Sequence, residues 1–279
     1  MRPEGKVVLV TGGANGIGLA TCIEFARRGC AVSIVDIDEE AMASAATQVR
    51  EAGGRDLSLV KDVTTEAGVR EMISETIERF GDLDILINNA GVSITGPAES
   101  TPVEDWRWAL DINVWPHIYA VREALPYFRQ RGSGHLVHVA SAAGLLGTPS
   151  APAYCLTKFA VVGLAESLAT SLYGSGIGVT VVCPQFVDTD IAFRGRVSLG
   201  ENAAFKEDEV KNLSRQMMKT VGISASVVAE SIVDAVENDK FLALPHPEIL
   251  EFARKKWADP ERFLKRTSEV LREQGLIFG

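Results

Sequence analysis

A tyrosine and a lysine four residues apart are the side chains of this sequence best suited to proton transfer. Tyr154 and Lys158 lie in the segment YCLTK, and on a helix this spacing puts both side chains on one face. Oxidising an alcohol by hydride loss requires a group that takes the hydroxyl proton, and a phenol does this only if its pKa falls from about 10. A neighbouring ammonium charge favours the phenolate. The pair indicates acid–base chemistry on an alcohol, although such pairs are also common on plain helix surfaces.

A glycine-rich stretch, TGGANGIG, follows the apolar run KVVLV and precedes a helical pattern. Glycines at a strand-to-helix turn let the backbone approach a pyrophosphate, and the helix N-terminus supplies N–H groups and positive dipole. The spacing G-x-x-x-G-x-G differs from the usual G-x-G-x-x-G, and no Lys-Ser/Thr pair follows as in a Walker loop. Gly12, Gly16 and Gly18 therefore indicate a dinucleotide site, with a purely architectural turn as the alternative.

Asp36 ends the second apolar run, about 20 residues beyond the glycines, where an acid accepts hydrogen bonds from a ribose. A carboxylate also repels a 2′-phosphate, and Ile37 supplies no guanidinium, so NAD is favoured over NADP. Asp36 is equally suited to cap the next helix, but Asp38 can serve that purpose instead.

The elements that must position these residues are short apolar runs alternating with amphipathic helical segments. This alternation predicts βαβ units and an α/β, doubly wound, Rossmann-type parallel sheet of about seven strands with helices on both faces. We expect one domain over residues 1–279, because no repeat or linker divides the chain. The predicted strands are 7–10, 31–35, 57–60, 84–87, 135–139, 179–182 and 241–244.

Two segments depart from the alternation. Residues 190–220 form a long insert that we expect to be irregular, and residues 245–279 form a helical C-terminal extension. Apolar residues at helical spacings in the extension predict a buried face, against the sheet, another subunit or the active site. They are Ile249, Leu250, Phe252, Trp257, Phe263, Leu264, Val270 and Leu271.

Motifs at the other strand ends complete a family pattern. TGxxxGIG, NNAG from Asn88 to Gly91, an isolated Asn113, Ser141 and YxxxK occur in order. With this set the sequence resembles the short-chain dehydrogenase/reductase family, motif by motif over roughly residues 5–192 and in general fold to about 245.

The resemblance implies how a bound NAD is held. It assigns the pyrophosphate to the glycine turn, the ribose to Asp36, the adenine to the end of the third strand, and the nicotinamide side to the loop after the sixth strand. The implied cofactor-binding residues are Gly12, Asn15, Gly16, Ile17, Gly18, Asp36, Asp62, Val63, Asn89, Ala90, Gly91, Tyr154, Lys158, Val187 and Thr189.

The resemblance also implies a catalytic tetrad. Tyr154 is then the general acid/base, Lys158 stabilises its phenolate, Ser141 holds the substrate oxygen, and Asn113 holds a water that relays protons from Lys158. Gln185 stands where the family motif P-G-x-V-x-T has glycine, so its side chain either alters the loop or points toward the substrate.

The substrate pocket is expected among three segments, 93–97, 142–152 and the insert. Several of their residues are apolar or small, which favours a bulky hydrophobic alcohol or ketone over a sugar or acyl-carrier thioester. Residues 193–218, with Gly195 and Gly200, are a candidate lid; a loop without a gating role is the alternative.

Composition restricts the other partners. A net charge of −9 opposes nucleic-acid binding, and no segment has about 20 continuous apolar residues, so we expect no membrane partner and a cytoplasmic protein. Four separated cysteines indicate reduced, buried thiols, and the histidines show no metal-ligand spacing. The resemblance implies a homo-oligomer, a dimer or tetramer, built through the helices around YxxxK.

The sequence thus predicts an NAD-dependent alcohol dehydrogenase or ketoreductase. A catalytically silent dinucleotide-binding protein is the alternative from another class, and an NAD-retaining epimerase or dehydratase is the alternative among enzymes.

Overall fold

The computed structural model describes residues 1–199 and 206–273. Its nine described strands lie close to the predicted runs, with two very short ones added. They are β1 (Val7–Thr11), β2 (Ala31–Asp36), β3 (Arg55–Val60), β4 (Ile85–Asn88), β5 (Ile94–Thr95), β6 (Gly134–Val139), β7 (Ile177–Val182), β8 (Arg196–Val197) and β9 (Leu242–Ala243).

Helices follow most strands. They are α1 (Gly16–Arg27), α2 (Glu39–Glu51), α3 (Glu66–Phe80), α4 (Val103–Asn113), α5 (Trp115–Arg131), α6 (Pro152–Leu172), α7 (Ile191–Arg194), α8 (Glu207–Val221), α9 (Ala225–Glu237), α10 (Glu248–Ala258) and α11 (Pro260–Glu273), with a 3-10 turn at Ala142–Gly144.

Seven strands form one parallel sheet in the order β3-β2-β1-β4-β6-β7-β9. This confirms the predicted doubly wound fold. The chain runs outward from β1 to β3 and then returns to the other side of β1 with β4. Ligands bind such sheets at the carboxyl ends of the strands where this order reverses, so the crevice between β1 and β4 is the expected site.

The sheet is buried on both faces, as parallel sheets generally are. On one face, side chains of α1, α2 and α9 pack against it, including Phe25, Met42 and Ile232. On the other face, α3, α5 and α6 do so, including Met72 and Phe128. These two layers fix the strand ends that carry the sequence motifs.

One helix, α6, is longer and more apolar than the sequence analysis indicated. α6 has 21 residues and a mean hydropathy of 1.3 in its most apolar window, so by length and composition alone it could cross a membrane. A helix that packs on the core of a protein can have the same length and composition. α6 packs against β7 and carries Lys158, which is only 3% exposed.

The insert was predicted to be irregular, and this prediction is wrong. It contains α7, the strand β8 and the four-turn helix α8, which has apolar residues at helical spacing, such as Leu213 and Met217. The sequence was misread because these apolar residues are sparse among charges. Gly200 of the candidate lid lies outside the described residues.

The extension forms two helices, but most of its apolar side chains are not buried within the chain. Ile249 is 1% exposed, whereas Trp257 is 68% and Leu264 is 59% exposed. Within the single chain, an apolar face is buried at the start of α10 but not in the described part of α11, which contacts chiefly α10; burial of that face against another subunit stays a prediction.

Candidate active site

The glycine turn has the geometry that its sequence requires. Gly16 has φ +53°, a region that side-chain-bearing residues rarely adopt. A Cβ on Gly18 would clash with the Gly12 carbonyl oxygen and the Asn89 amide, so the turn can close only with glycine there. α1 begins at Gly16 after Asn15 and Ile17 is its second residue, which points its N-terminal N–H groups into the crevice.

Asn89 joins the turn to the end of β4. Its Nδ2 donates to the carbonyls of Thr11 (2.9 Å) and Gly12 (3.2 Å). The Thr11 hydroxyl in turn accepts the backbone N–H groups of Asn89 (2.9 Å) and Ala90 (3.1 Å). The two strand ends on either side of the crevice are thus held together by four hydrogen bonds. Thr11 was not singled out from the sequence, although a threonine directly before the glycines was a usable signal.

Asp36 lies beside the glycine turn rather than capping a helix. Its carboxylate accepts the N–H groups of Ala14 (3.0 Å), Ile37 (2.8 Å) and Asp38 (3.1 Å). The cap of α2 is Asp38, whose side chain accepts the Ala41 N–H. Asp36 therefore does not cap α2, and its half-buried carboxylate lies in the crevice at the carboxyl end of β2.

The end of β3 is less closely tied to this site. Asp62 is exposed and accepts the N–H (2.9 Å) and hydroxyl (2.7 Å) of Thr64 in a local turn, while Val63 is buried. One carboxylate oxygen of Asp62 is thus used in the local turn, and the other oxygen, the backbone and Val63 are the groups that could contact a cofactor.

The loop after β7 reaches across to the glycine turn. A Cβ on Gly16 would lie 3.3 Å from the Thr189 methyl, and Val187 is buried through a bridge to Ile223. Gln185 is exposed, and its backbone N–H donates to Nδ1 of His246 (3.2 Å). Because Gln185 does not adopt a positive φ, the missing family glycine leaves the loop unstrained.

Tyr154 and Lys158 share a face of α6, but their electrostatics differ from the prediction. The Lys158 ammonium lies 5.6 Å from the centre of the phenol ring and donates to the Val139 carbonyl (3.1 Å). Burial raises the pKa of Tyr154 to about 12, with the side chain of Ser141 acting in the opposite direction. Burial also lowers the pKa of Lys158 to about 8. In the chain without cofactor, the phenol pKa is thus raised by burial rather than lowered as the sequence predicted, and the Ser141 hydrogen bond offsets only part of this effect.

Ser141 follows β6 and sits beside Tyr154. Its Oγ accepts the Ala143 N–H (3.1 Å) as the cap of the short 3-10 turn, and it donates to the Pro184 carbonyl (3.3 Å). The capping role and a catalytic role are therefore compatible. The residue Ser141 is 8% exposed, so its hydroxyl lies deep in the crevice.

Asn113 lies where α4 gives way to α5. Its side chain binds both backbone groups of Val92 (2.8 and 2.9 Å) and donates to the Thr157 hydroxyl (3.1 Å). The His117 N–H, which would reach the Asn113 carbonyl in a continuous helix, donates to Val114 instead (3.1 Å). The Asn113 side chain is thus committed to protein groups, and its carbonyl is released from the helical ladder. A Cβ on Gly91 would lie 3.1 Å from the Asn113 side chain and 3.5 Å from Lys158 Nζ.

An apolar cluster adjoins the phenol. Tyr154 packs with Trp106 and Trp108 of α4 against the buried residues Ile94, Ala109 and Ala153. The tryptophans were missed in the sequence because they lie 46 or more residues from Tyr154 along the chain and only the packing of α4 on α6 brings them near.

Hydrogen bonds join the three segments predicted to form the pocket. The Ser93 hydroxyl donates to the Ile191 carbonyl (2.9 Å), and β5 pairs with β8. The Gly96 N–H donates to the Ser150 carbonyl (2.8 Å). The segment after NNAG, the insert and the loop after Ser141 therefore lie together, and Ile94 of the first segment packs beside Tyr154.

The other titratable groups were compared with the arrangement that a metal ion requires. Within residues 1–199 and 206–273, no group of three or more His, Cys, Asp or Glu side chains is placed to hold a metal ion. All four cysteines are free and buried, and burial raises the pKa of Cys183 to about 12. The acid–base groups of the crevice are thus Tyr154 and Lys158.

Comparison with known proteins identifies the family. The family model for short chain dehydrogenases matches residues 6–196. This chain belongs to the short-chain dehydrogenase/reductase family. It is therefore an oxidoreductase of that family, and the matched region ends within the insert.

Relatives extend the likeness beyond the matched region. A CLA biosynthesis dehydrogenase/reductase from Lactiplantibacillus plantarum is 34% identical over 253 residues, which cover 87% of this chain and 88% of that protein. A 3beta-hydroxysteroid dehydrogenase from Mediterraneibacter gnavus is 33% identical, covering 78% of this chain and 80% of that protein.

A solved structure shows the same architecture. A short chain dehydrogenase/reductase from Burkholderia phymatum, in complex with NAD, has a TM-score of 0.85 and 31% identity. The alignment covers 94% of this chain and 96% of that one. The fold of this short-chain dehydrogenase/reductase thus agrees over nearly the whole chain.

Proposed function

We propose that this short-chain dehydrogenase/reductase interconverts a secondary alcohol and a ketone with NAD, and that its substrate is bulky and hydrophobic. The observation that carries the proposal is the meeting of Ser141, Tyr154 and Lys158 at the same strand ends as the glycine turn. A protein that only bound a dinucleotide would have no physical need for a phenol and an ammonium group one helical turn apart in the crevice.

The cofactor assignment is supported by Asp36. Its carboxylate lies at the end of β2 beside the glycine turn, and Asp38 takes over the capping of α2. A negative charge there would accept ribose hydroxyls and repel a 2′-phosphate. The related structure from Burkholderia phymatum is an NAD complex, and this chain would hold NAD with the glycine turn and with Val187 and Thr189.

When bound, oxidised NAD supplies the hydride acceptor and a positive charge. Ser141 then turns its one hydroxyl proton from the Pro184 carbonyl to the substrate oxygen, and Tyr154 takes the hydroxyl proton of the alcohol. Lys158 favours the phenolate, which needs this help because burial raises the pKa of Tyr154 to about 12. A water on the released Asn113 carbonyl would accept the proton passed on from Lys158, since the Asn113 side chain is already used.

The apolar cluster around the phenol supports the choice of substrate. Trp106, Trp108 and Ile94 pack beside Tyr154, and half-buried Leu145 and Leu146 follow Ser141 on the opposite loop. Such walls favour a large apolar substrate held by few polar groups. The 3beta-hydroxysteroid dehydrogenase among the relatives acts, by its name, on a substrate of this kind.

The test is NADH formation, followed by its near-ultraviolet absorbance, on secondary alcohols ranging from sugar alcohols and small aliphatic alcohols to aryl, terpenoid and steroid alcohols. We expect turnover with NAD rather than NADP on a bulky alcohol. Tyr154→Phe should lower kcat by about 10²- to 10⁴-fold, the usual contribution of general acid–base catalysis, while NADH binding is retained. Tyr173→Phe is the matched control, because Tyr173 is 95% exposed and should keep full activity.

Each part of the proposal has a contrary result. Preference for sugar alcohols would reject the substrate class, preference for NADP would reject the role given to Asp36, and an active Tyr154→Phe would reject the mechanism. Tight NADH binding without net turnover on any alcohol would favour the binding protein or the epimerase.

We further propose a homo-oligomer formed through α5 and α6. Large apolar side chains remain exposed on these helices, with Trp115 at 44%, Leu156 at 46% and Phe159 at 36%. Light scattering on the purified protein should give the mass of a dimer or tetramer, and a monomer at micromolar concentration would contradict this assembly.

A further inference from the structure

Two histidines face each other in the interior behind Lys158. His117 of α5 and His138 of β6 are 1% and 0% exposed, and their Nδ1 atoms are 2.9 Å apart. Nε2 of each ring is buried without a hydrogen-bond partner among the described residues, as are both polar atoms of the Asn88 amide. Asn88, His117 and His138 are called the interior polar cluster below.

The strand register brings the three side chains of the interior polar cluster to one face. Asn88 and His138 are partners on the neighbouring strands β4 and β6, so their side chains leave the sheet on the same side. His138 meets His117 on that side, which is therefore the side covered by α5. The amide and the imidazole pair thus lie in one layer between the sheet and the helix.

Lys158 borders this cluster. Its ammonium donates to the carbonyl of Val139, the residue after His138. Burial lowers the pKa of His117 well below its usual range, and the charges of His138 and Lys158 act in the same direction. Burial lowers the pKa of His138 to about 4, with His135 of the same strand contributing. The charged group facing the pair is therefore Lys158 from α6, with Cys183, the residue directly after β7, beyond Lys158. His135 lies three residues before His138 on β6, so its side chain leaves the sheet on the opposite side. At neutral pH both rings are uncharged.

Two neutral imidazoles in contact through Nδ1 must be opposite tautomers. One ring donates its Nδ1–H and exposes a bare Nε2, and the other accepts at Nδ1 and carries an Nε2–H. A buried polar atom without a hydrogen-bond partner destabilises a protein, and the interior polar cluster has four such atoms. Buried water commonly satisfies such groups. The donors and acceptors offered by the cluster suit water better than an ion, because they include both kinds.

We propose that the interior polar cluster binds water beside Lys158, and that the His117–His138 pair passes protons between this water and the lysine side. A proton taken up at the bare Nε2 drives the shared proton from one Nδ1 to the other, and the second ring releases its Nε2 proton. Both rings are neutral before and after, and no electrons move. The passage leaves the two rings with exchanged tautomers, and the reverse passage, in ketone reduction, restores the first pair. Between turnovers of alcohol oxidation, the bound water carries the proton from one Nε2 to the other while the shared proton returns, so that the first pair is restored without net proton transfer. This role rests on the proposed function, in which Lys158 must exchange a proton in every turnover.

His117 and His138 are accordingly positioning residues that act through Lys158. The test compares His117→Gln and His138→Gln with the parent enzyme, with alcohol oxidation measured from about pH 6 to 10 in H₂O and D₂O, the range over which acid–base groups such as Lys158 titrate. We expect kcat to fall about tenfold, the solvent isotope effect on kcat to increase, and KM for NAD to stay within about twofold. His135→Gln is the matched control. It removes a buried histidine from the same strand whose Nε2 bonds to Thr180 (2.8 Å), and it should leave kcat and the isotope effect unchanged.

A second measurement does not depend on turnover or on the variants folding. Nitrogen-15 NMR of the histidine side chains in the parent protein should show one ring protonated at Nδ1 and one at Nε2, with magnetisation transfer from buried water to both. A dry cluster, or two rings of the same tautomer, overturns the proposal even if the enzyme is active. Folded glutamine variants with parental kcat and isotope effect overturn the relay. An enzyme inactive on every alcohol whose NMR shows the hydrated pair would instead reject the proposed function and keep the water site.

Discussion

The crevice of this short-chain dehydrogenase/reductase has two sides that are stabilised in different ways. On the cofactor side, the ends of β1, β2 and β4 are joined by hydrogen bonds between buried or half-buried groups, such as those from Asn89 to Thr11 and Gly12. On the substrate side, the insert is joined to the rest of the chain by the short pairing of β8 with β5 and carries exposed ion pairs, such as Arg215 with Asp190 within the insert (3.0 Å). Burial strengthens the first kind of contact and solvent screens the second. The cofactor side should therefore be rigid, and the substrate side should be open to change.

The largest expected effect is a loss of folding stability in mild acid, which depends on buried histidines. Burial lowers the pKa values of His135 and His138 from 6.5 to about 4, so between these values the unfolded chain binds protons that the folded chain does not. The contribution of His135 and His138 to the free energy of unfolding is complete above pH 6.5 and decreases as the pH falls toward 4. The loss is on the order of 3 kcal/mol for each histidine once the pH has fallen below both pKa values. Chemical denaturation at neutral pH and at about pH 5, within this window, measures its onset.

His135→Gln provides the check on that assignment. It should reduce the difference in unfolding free energy between neutral and mildly acidic pH, because one of the three buried imidazoles with a lowered pKa is gone. An unchanged difference would mean that other groups control the acid response. A loss of the insert alone in mild acid, with the sheet intact, would mean that the buried histidines are not the first groups to respond.

Two glycines test the comparison by substitution. Gly18→Ala places a methyl group against the Gly12 carbonyl and the Asn89 amide, so it should destabilise the fold by about 1–3 kcal/mol as overpacking does and weaken NAD binding at least about tenfold. Gly163→Ala on α6 meets nothing within 4 Å and should stabilise the protein by about 0.4–1 kcal/mol, because alanine restricts the unfolded chain. Thermal unfolding and NADH fluorescence titration measure both variants.

Gly163→Ala also shows whether the protein tolerates a glycine-to-alanine substitution where nothing lies nearby. If Gly18→Ala kept parental affinity for NADH, the cofactor side would be more adaptable than its packing indicates. If Gly163→Ala lowered stability, that position would be covered, most simply by a second subunit on α6.

The difference between the two sides also explains what the sequence could predict. Strand ends and their glycines, Asp36, Asn89 and the tetrad are local signals, because each follows a recognisable apolar run and the sheet brings all such ends to one edge. The contacts of Tyr154 with Trp106 and Trp108, and the pairing of His117 with His138, depend on how helices pack across the sheet. No spacing in the sequence encodes them. The helix α8 was missed for a different reason, since its apolar residues are diluted by charges and all its side chains remain at least partly exposed.

The smallest effect is expected where the insert touches the cofactor side. Arg194 of α7 lies 3.7 Å from Asp38, with the two side chains 56% and 35% exposed. Exposed ion pairs contribute about 0–1 kcal/mol, so Arg194→Ala should change the unfolding free energy by less than that and KM for NAD by less than about threefold. Arg70→Ala is the matched control, because Arg70 is 59% exposed and pairs with Glu123 at 3.5 Å on α3 and α5, away from the crevice. If Arg194→Ala raised KM for NAD about tenfold while Arg70→Ala did not, the insert would close on the bound cofactor, and the two sides of the crevice would act as one unit during turnover.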